Sequence, residues 1–327
     1  MTLPLSDRYR DRLPLSDSTP LVSLGEGSTP LLPAPRLSER LGLDIRLKWE
    51  GANPTGSFTD RGMAIEIAKA LEEGADAVVC ASTGNTAASA AAYAARAGLS
   101  AVVLQPAGAV ASGKLAHARA LGARLLEVQG SFDEALDSAR ELAGRGTHVL
   151  VNSLNPHRIE GQKTAAFEIA EELGGPPDVL ALPYGGGGNT CADAKGFAEW
   201  GGGEPRLLAV QSGDRAQTVA SAIRIREPVH AAGVAEAIER SKGSVVTVSD
   251  YEILAAWRFL AREEGVFCEP ASAAALAGVE ASGLAPGTRV VCVITGNGLK
   301  DPETAARESP AATAVHADVS SIAEAAA

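Results

Sequence analysis

The chain has 327 residues, of which 46% are hydrophobic, 21% charged and 4% aromatic, with 35 glycines and a formal net charge of −11. That length allows one large or two medium domains with a substantial core, and the profile excludes a disordered or fibrous protein. The acidic balance, without a run of Lys and Arg long enough to form a basic stripe, excludes nucleic acid as an expected partner.

Residues 1–20, MTLPLSDRYRDRLPLSDSTP, put charges and prolines where a signal peptide needs an apolar run, and no segment approaches about 18 uninterrupted apolar residues. Neither export nor a membrane span is expected, and the stretch reads as an extended arm. Short β-branched runs then alternate with helical patterns: strands at 44–49, 76–82, 100–106, 123–129 and 147–152, with helices near 61–73, 85–97, 112–121 and 132–144 between them. A second series has helices near 160–173, 189–200, 249–264 and 271–281 with strands at 178–184, 206–211 and 289–295, and residues 308–327 read as a weakly ordered tail. This alternation implies right-handed βαβ crossovers, and nearly continuous apolar strands imply sheets covered by helices on both faces. The expected fold class is α/β, two open lobes with mainly parallel sheets and a cleft between them. The acid-rich stretch 168–172 reads as a solvated helix face. Cys80, Cys191, Cys268 and Cys292 lie far apart without C-x-x-C spacing, which suggests free thiols in a reducing cytoplasm and neither a disulfide framework nor a zinc site. No metal is expected.

In open parallel sheets ligands collect at the carboxyl ends of strands, where loops lead into helix N-termini. Polar or glycine clusters stand at several such points: SFTDRG (57–62), ASTGNTAAS (81–89), NSLNPHRIEGQKT (152–164), YGGGGNT (184–190) and TGNGLKDP (295–302). Gly185, Gly186, Gly187 and Gly188, followed by Asn189 and Thr190 at a helix start, suit a phosphate monoester, because glycines let backbone N–H groups converge and the helix dipole adds positive charge. A flexible strand-to-helix turn is the alternative. The chain lacks GxxxxGK[ST] and a strand-anchored GxGxxG, which argues against an NTPase or dinucleotide enzyme. Ser82, Thr83, Asn85 and Thr86 offer hydroxyls and an amide at another helix start, for ligand binding or for simple capping. Arg158 beside Ser153 and Asn155 could hold a second anion, or be a surface arginine; His157 is given no role. The Thr295 hydroxyl could face a neutral heteroaromatic nitrogen, where a protonated nitrogen would call for an acid, or could belong to a capped turn.

One stretch stands apart. In NPTGSFTDRG (53–62) a Gly, Ser and Thr loop precedes Asp60 and Arg61 at a helix start, built like the mouth of an anion or cofactor site, yet Thr59 occupies the place where a reactive amine would be sought.

In this order, EGSTPL (26–31), WEGANPTGSF (49–58), DRGM (60–63), ASTGNTAASAAAYAARAG (81–98), GKLAHARALGA (113–123), VNSLNPHRIEGQKTAAFEI (151–169), FCEPASAA (267–274) and TGNGLKDP (295–302) resemble the threonine synthase family within the fold-type-II pyridoxal-phosphate enzymes. The resemblance covers about residues 20–305. It implies a large pyridoxal-phosphate-binding domain over 21–60 and 150–307, a smaller mobile domain over 61–149, the arm 1–20 and the tail 308–327. By position, Asn85 would bond the pyridoxal 3-hydroxyl, the turn 185–190 would surround the cofactor phosphate, and Thr295 would meet the ring nitrogen. Ser82, Thr86, Ser153 and Arg158, with Lys114, would receive the phosphate of O-phosphohomoserine, and pyridoxal would serve as electron sink while phosphate leaves and water adds. A homodimer is implied, with Tyr93, Trp200 and Trp257 either at the interface or in the core.

The chain departs from the family at three positions. The Schiff-base lysine falls at Thr59, whose hydroxyl forms no imine and cannot act as an amine proton shuttle near neutral pH; Gly186 stands where an asparagine is usual; Tyr184 stands where a small aliphatic is frequent. Thr59 reads as an engineered trap, as a diverged paralogue, or as a position whose role passes to Lys114 or Lys163. The competing function is a non-catalytic or pyridoxal-independent paralogue that binds a phosphorylated small molecule.

Overall fold

The computed structural model describes residues 4–108 and 115–326. Among the described residues ten strands form two sheets: β1 (Leu31–Pro33), β2 (Asp44–Trp49), β3 (Ala77–Ala81), β4 (Ser100–Pro106), β5 (Arg124–Val128), β6 (Val149–Leu150), β7 (Val179–Pro183), β8 (Arg206–Ser212), β9 (Ser244–Val248) and β10 (Arg289–Ile294). The larger sheet runs β1-β2-β10-β7-β8-β9 and the smaller β5-β4-β3-β6. All pairings are parallel except β1 with β2. The expected α/β class with mainly parallel sheets is the observed one.

Period-two alternation explains how each sheet fills both faces. In β3, Val78 and Cys80 join Met63, Ala87, Ala91 and Tyr93 on one side, while Val79 and Ala81 join Ala135 and Ala139 on the other. In the larger sheet, Val179 and Ala181 pack with Trp257 and Leu276, whereas Leu180 and Leu182 pack with Ile169 and Phe197. Every residue of β7 is therefore buried, as its unbroken apolar run requires. Helices fill these faces with alanine, which brings helix and sheet backbones close: helix Pro270–Ala281 alone buries seven apolar side chains or more against β7 and its neighbours.

The register decides where chemistry can gather. β10 returns to the middle of the sheet with Ile294 opposite Trp49, so Thr295 and the turn after β2 leave at the same edge. β7 runs parallel to β10, which puts its glycine turn at that edge too. Helix Thr59–Glu72 crosses Pro156–Gln162 at close range: a Cβ on Gly161 would overlap the Arg61 carbonyl, and one on Gly62 would lie 2.7 Å from Arg158 Cγ.

Several elements differ from expectation. Helices Asn85–Ala97 and Phe132–Gly144 span the residues anticipated, but the helix expected at 160–173 is two, Pro156–Gln162 and Thr164–Leu173. The arm at 1–20 is not simply extended: helix Leu5–Arg8 and the turn after it bury Leu5, Tyr9 and Leu13 against Ile65 and Phe167. Tyr93 and Trp257 belong to the core. The stretch 168–172 is no uniformly solvated face, because Glu168 is 2% exposed and holds both Lys48 and Arg61. Arg61 in turn makes paired hydrogen bonds to Glu50 and to Glu168, at 2.7–2.8 Å, so it is a buried charge clamp under the site and not part of an anion mouth. Strand β9 and helix Ala231–Arg240 were not expected; the strand is a half-exposed edge without a strong apolar signal.

Candidate active site

The turn between β2 and helix Thr59–Glu72 is zipped onto the end of β10. Phe58 N–H donates to the Thr295 carbonyl at 3.0 Å and Asn297 N–H to the Gly56 carbonyl at 2.9 Å. Asp60 closes the turn from the other side, accepting from Thr55 N–H and Thr55 Oγ1, each at 2.7 Å, and from Ser89 Oγ at 2.6 Å. Burial raises the Asp60 carboxyl above its ordinary range against the pull of these donors. Thr59, 3% exposed, opens the helix beside Asp60.

Ser82 caps the next loop, its Oγ accepting from Gly84 N–H at 3.2 Å and Ala87 N–H at 3.1 Å. Asn85 reaches across to the larger sheet, with Nδ2 donating to Glu269 Oε1 at 3.1 Å. Glu269 precedes helix Pro270–Ala281 and is nearly buried. No role is expected for it from the sequence; the available signal is an acid directly before the apolar, alanine-rich first turns of that helix. Thr83 is half-buried in the same loop.

In the third loop the structure separates the expected residues. Asn155 is a helix cap, accepting from His157 N–H and donating to the Leu150 carbonyl, both at 3.0 Å. Arg158 is buried and not a surface residue: Nε and Nη2 donate to Glu66 Oε2 at 3.1 and 3.0 Å, while Nη1 donates to Thr86 Oγ1 at 3.1 Å. Burial pushes the Glu66 carboxyl up to about 7 even with Arg158 beside it. The Ser153 carbonyl oxygen lies 2.7 Å from His230 Nε2, a second link, from the loop after β6 to the head of helix Ala231–Arg240. Lys114 lies outside the described residues. Lys163 is held by Glu160 and Glu199.

At the glycine turn the carbonyls are tied back. Arg215 donates to the carbonyls of Tyr184 and Gly185, each at 3.3 Å, and stacks on the Tyr184 ring at 4.5 Å; His230 N–H donates to the Gly186 carbonyl at 3.0 Å. Gly187, at φ +90°, starts helix Gly188–Trp200, and a Cβ there would lie 2.7 Å from Val234 Cγ2. Only glycine suits that backbone and that gap. Asn189 Nδ2 and Thr190 Oγ1 are buried polar atoms with no partner among the described residues. Thr295 Oγ1 shares a 2.9 Å hydrogen bond with Ser272 Oγ, which also accepts from Gly296 N–H.

A family model described as "Pyridoxal-phosphate dependent enzyme" matches residues 22–296. The chain belongs to this family. Among curated relatives of the pyridoxal-phosphate-dependent enzyme, threonine synthase of Halalkalibacterium halodurans is 50% identical over 92% of this chain and 90% of its own length. Threonine synthase of Mycobacterium leprae is 49% identical over 97% of this chain and 94% of its own. A solved lysine-to-alanine mutant of O-ureido-L-serine synthase, with O-ureido-L-serine bound, is 21% identical over 96% of this chain and 99% of its own, with a TM-score of 0.77, and shows the same fold. These relationships rank the chain with the carbon–oxygen lyases of the family, and pyridoxal 5′-phosphate is its cofactor.

The residues present fit that cofactor in all but the tether. A monoester needs donors, and the turn directs the carbonyls of Tyr184, Gly185 and Gly186 toward Arg215 and His230 while Asn189 and Thr190 keep unpartnered buried atoms. The hydroxyl of Thr295 is neutral, as suits a neutral ring nitrogen. Thr59 offers no amine. No described helix is long and apolar enough to cross a membrane.

Proposed function

We propose that the chain is a threonine-synthase-type carbon–oxygen lyase that acts on a phosphorylated amino acid such as O-phosphohomoserine, with pyridoxal phosphate held without a covalent bond to residue 59. One observation carries the reading: two polar links, Asn85 to Glu269 and His230 to Ser153, join the loops after β3 and β6 to the heads of two helices that pack on the larger sheet. The identity to threonine synthases supports the choice of substrate class.

In this reading Gly185, Gly186, Gly187 and Gly188, with Asn189 and Thr190, hold the cofactor phosphate, Asn85 meets the 3-hydroxyl, and Thr295 meets the ring nitrogen. Pyridoxal phosphate supplies an electron sink when bound. Ser82, Thr83, Thr86, Ser153 and Lys114 receive the substrate phosphate. Arg158 works through Thr86: because Nη1 donates to Thr86 Oγ1, the threonine proton is left to point at an anion. Asn155 shapes the loop from its cap position. The smaller sheet and its helices are the mobile part, and two chains form a homodimer.

A hydroxyl at residue 59 does not move protons near neutral pH as an amine does. Phosphate release from O-phosphohomoserine, measured with added pyridoxal phosphate, is expected to be slow in the chain and about 10²–10⁴-fold faster in Thr59→Lys. Absence of release from both proteins would remove the reading. Thr59 is also the observation that favours a second one, a non-catalytic binder; calorimetric binding of the same ligand without turnover in the chain, and turnover restored by Thr59→Lys, would select it.

A further inference from the structure

The chain contains seven lysines: Lys48, Lys69, Lys114, Lys163, Lys195, Lys242 and Lys300. Among the described ones, Lys48, Lys69, Lys163 and Lys195 each close an ion pair with a glutamate. Lys242 sits on an exposed turn before β9. Lys300 differs from all of these. It ends the short turn Gly298–Lys300 that follows β10, and its Nζ donates to the Thr55 carbonyl at 2.9 Å. No carboxylate stands within ion-pair distance of it among the described residues.

Its placement bears on the missing amine. The Lys300 stem lies over Gly56, where an added Cβ would be 3.5 Å from Cδ, and Thr55 and Gly56 belong to the turn that delivers Thr59. That turn and the Lys300 turn are fastened together by the Asn297 to Gly56 and Phe58 to Thr295 hydrogen bonds, so neither moves without the other. Lys300 also lies within electrostatic reach of Asp60 and of Glu269, the acid that holds Asn85. In pyridoxal phosphate the ring carbon that bears the aldehyde adjoins the one that bears the 3-hydroxyl, so an amine beside the Thr59 turn and within reach of the Glu269–Asn85 pair would lie toward the aldehyde side of a ring held with its 3-hydroxyl at Asn85.

We propose that Lys300 supplies the amine that residue 59 lacks, bonding through Nζ to the aldehyde carbon of pyridoxal phosphate. The inference rests on the proposed function, since it needs the cofactor oriented with its 3-hydroxyl toward Asn85. In the step, the Nζ lone pair attacks the aldehyde carbon, both amine hydrogens leave with the aldehyde oxygen as water, and a C=N bond replaces C=O. The attacking amine must be neutral. Burial pushes the Lys300 ammonium below its ordinary range, against the pull of Glu269 and Asp60, which favours that form. The backbone acceptor at Thr55 holds the nitrogen without the charge of a carboxylate partner. A four-carbon stem with three rotatable C–C bonds beyond Cβ lets Nζ leave that carbonyl for the cofactor.

The test uses the full chain with one equivalent of pyridoxal phosphate, reduced with borohydride, digested and mapped by mass spectrometry, beside Lys300→Arg and Lys300→Met. The expected result is a reduced phosphopyridoxyl group on the Lys300 peptide and a visible C=N absorption band that both variants lose. Lys300→Arg, which keeps the charge, should still retain cofactor by phosphate content after gel filtration. Cofactor retained but reduced onto another lysine, or onto none, overturns the assignment to Lys300 while leaving the proposed function standing. Failure of the unaltered chain to retain cofactor overturns both.

Discussion

Arg158 Nη1 donates to Thr86 Oγ1 at 3.1 Å while Nε and Nη2 are held by Glu66 and the Val151 carbonyl, so one buried ion pair orients a hydroxyl at the head of helix Asn85–Ala97. The two functions of Arg158 separate experimentally. Arg158→Ala leaves the Glu66 carboxylate buried without its partner and should cost about 3–5 kcal/mol of stability. Thr86→Val replaces only the hydroxyl, with a methyl: the melting temperature should fall far less than in Arg158→Ala while KM for a phosphorylated substrate rises about tenfold, the value of one hydrogen bond to a charged group. Equal loss of stability in the two variants would show that Thr86 is structural.

The glycine turn contains one demanding position and one permissive one. Gly187→Ala places a Cβ at positive φ and 2.7 Å from Val234 Cγ2, and should cost about 2–4 kcal/mol from backbone strain and overpacking together, with loss of cofactor retention. Gly186→Ala meets only Ile225 Cδ1 at 3.5 Å, an ordinary contact, and should alter stability by no more than about 0.5 kcal/mol. Thermal denaturation with and without pyridoxal phosphate compares them directly.

Asp193, on helix Gly188–Trp200, has neither carboxyl oxygen partnered among the described residues, and burial, then Glu50, pushes it up to about 8. A carboxyl raised in the folded state binds its proton more tightly there than in the unfolded chain. Its contribution to stability is thus complete below its ordinary range near 4 and is lost as pH rises through about 8. Asp193→Asn should flatten that decline and be about 1–3 kcal/mol more stable than the unaltered chain above pH 8. Unchanged pH dependence in the variant would assign the decline to other groups.

Glu168 titrates in the opposite sense. Burial alone would raise its carboxyl, but Arg61 and Lys48 outweigh burial and hold it well below the usual range. The stability it contributes is present above the ordinary glutamate range and is lost as pH falls from there toward the folded value. Acid unfolding followed by circular dichroism should therefore show a smaller loss of stability on acidification in Glu168→Gln, from a baseline near pH 7 that is already lower by about 3–5 kcal/mol, since Lys48 and Arg61 lose a shared partner. A baseline unchanged at pH 7 would mean that Glu50 alone suffices for both cations.

Much of the fold was legible because apolar periodicity and glycine punctuation are local signals: strands such as β4 and helices such as Asn85–Ala97 and Phe132–Gly144 follow directly from them. The arm was misjudged because Leu5, Tyr9 and Leu13 find their apolar surface on Ile65 and Phe167, far along the chain. The same reason hid the fate of charges. Arg61, Arg158 and Glu168 look alike as solvated or anion-binding residues until their partners Glu50, Glu66 and Lys48 are brought beside them.

The sequence by itself determined the alternation of strands and helices, the glycine turn after β7, the hydroxyl loops and the absence of a lysine at residue 59, since each depends on residue type and short spacing. Only the tertiary structure decided which polar groups meet. Parallel strands joined by crossovers bring Asn85 to Glu269, His230 to Ser153 and Lys300 to the Thr55 carbonyl across separations of 184, 77 and 245 residues. Contacts at such separations arise from sheet order and register, which the packing of the whole chain selects and no local pattern encodes.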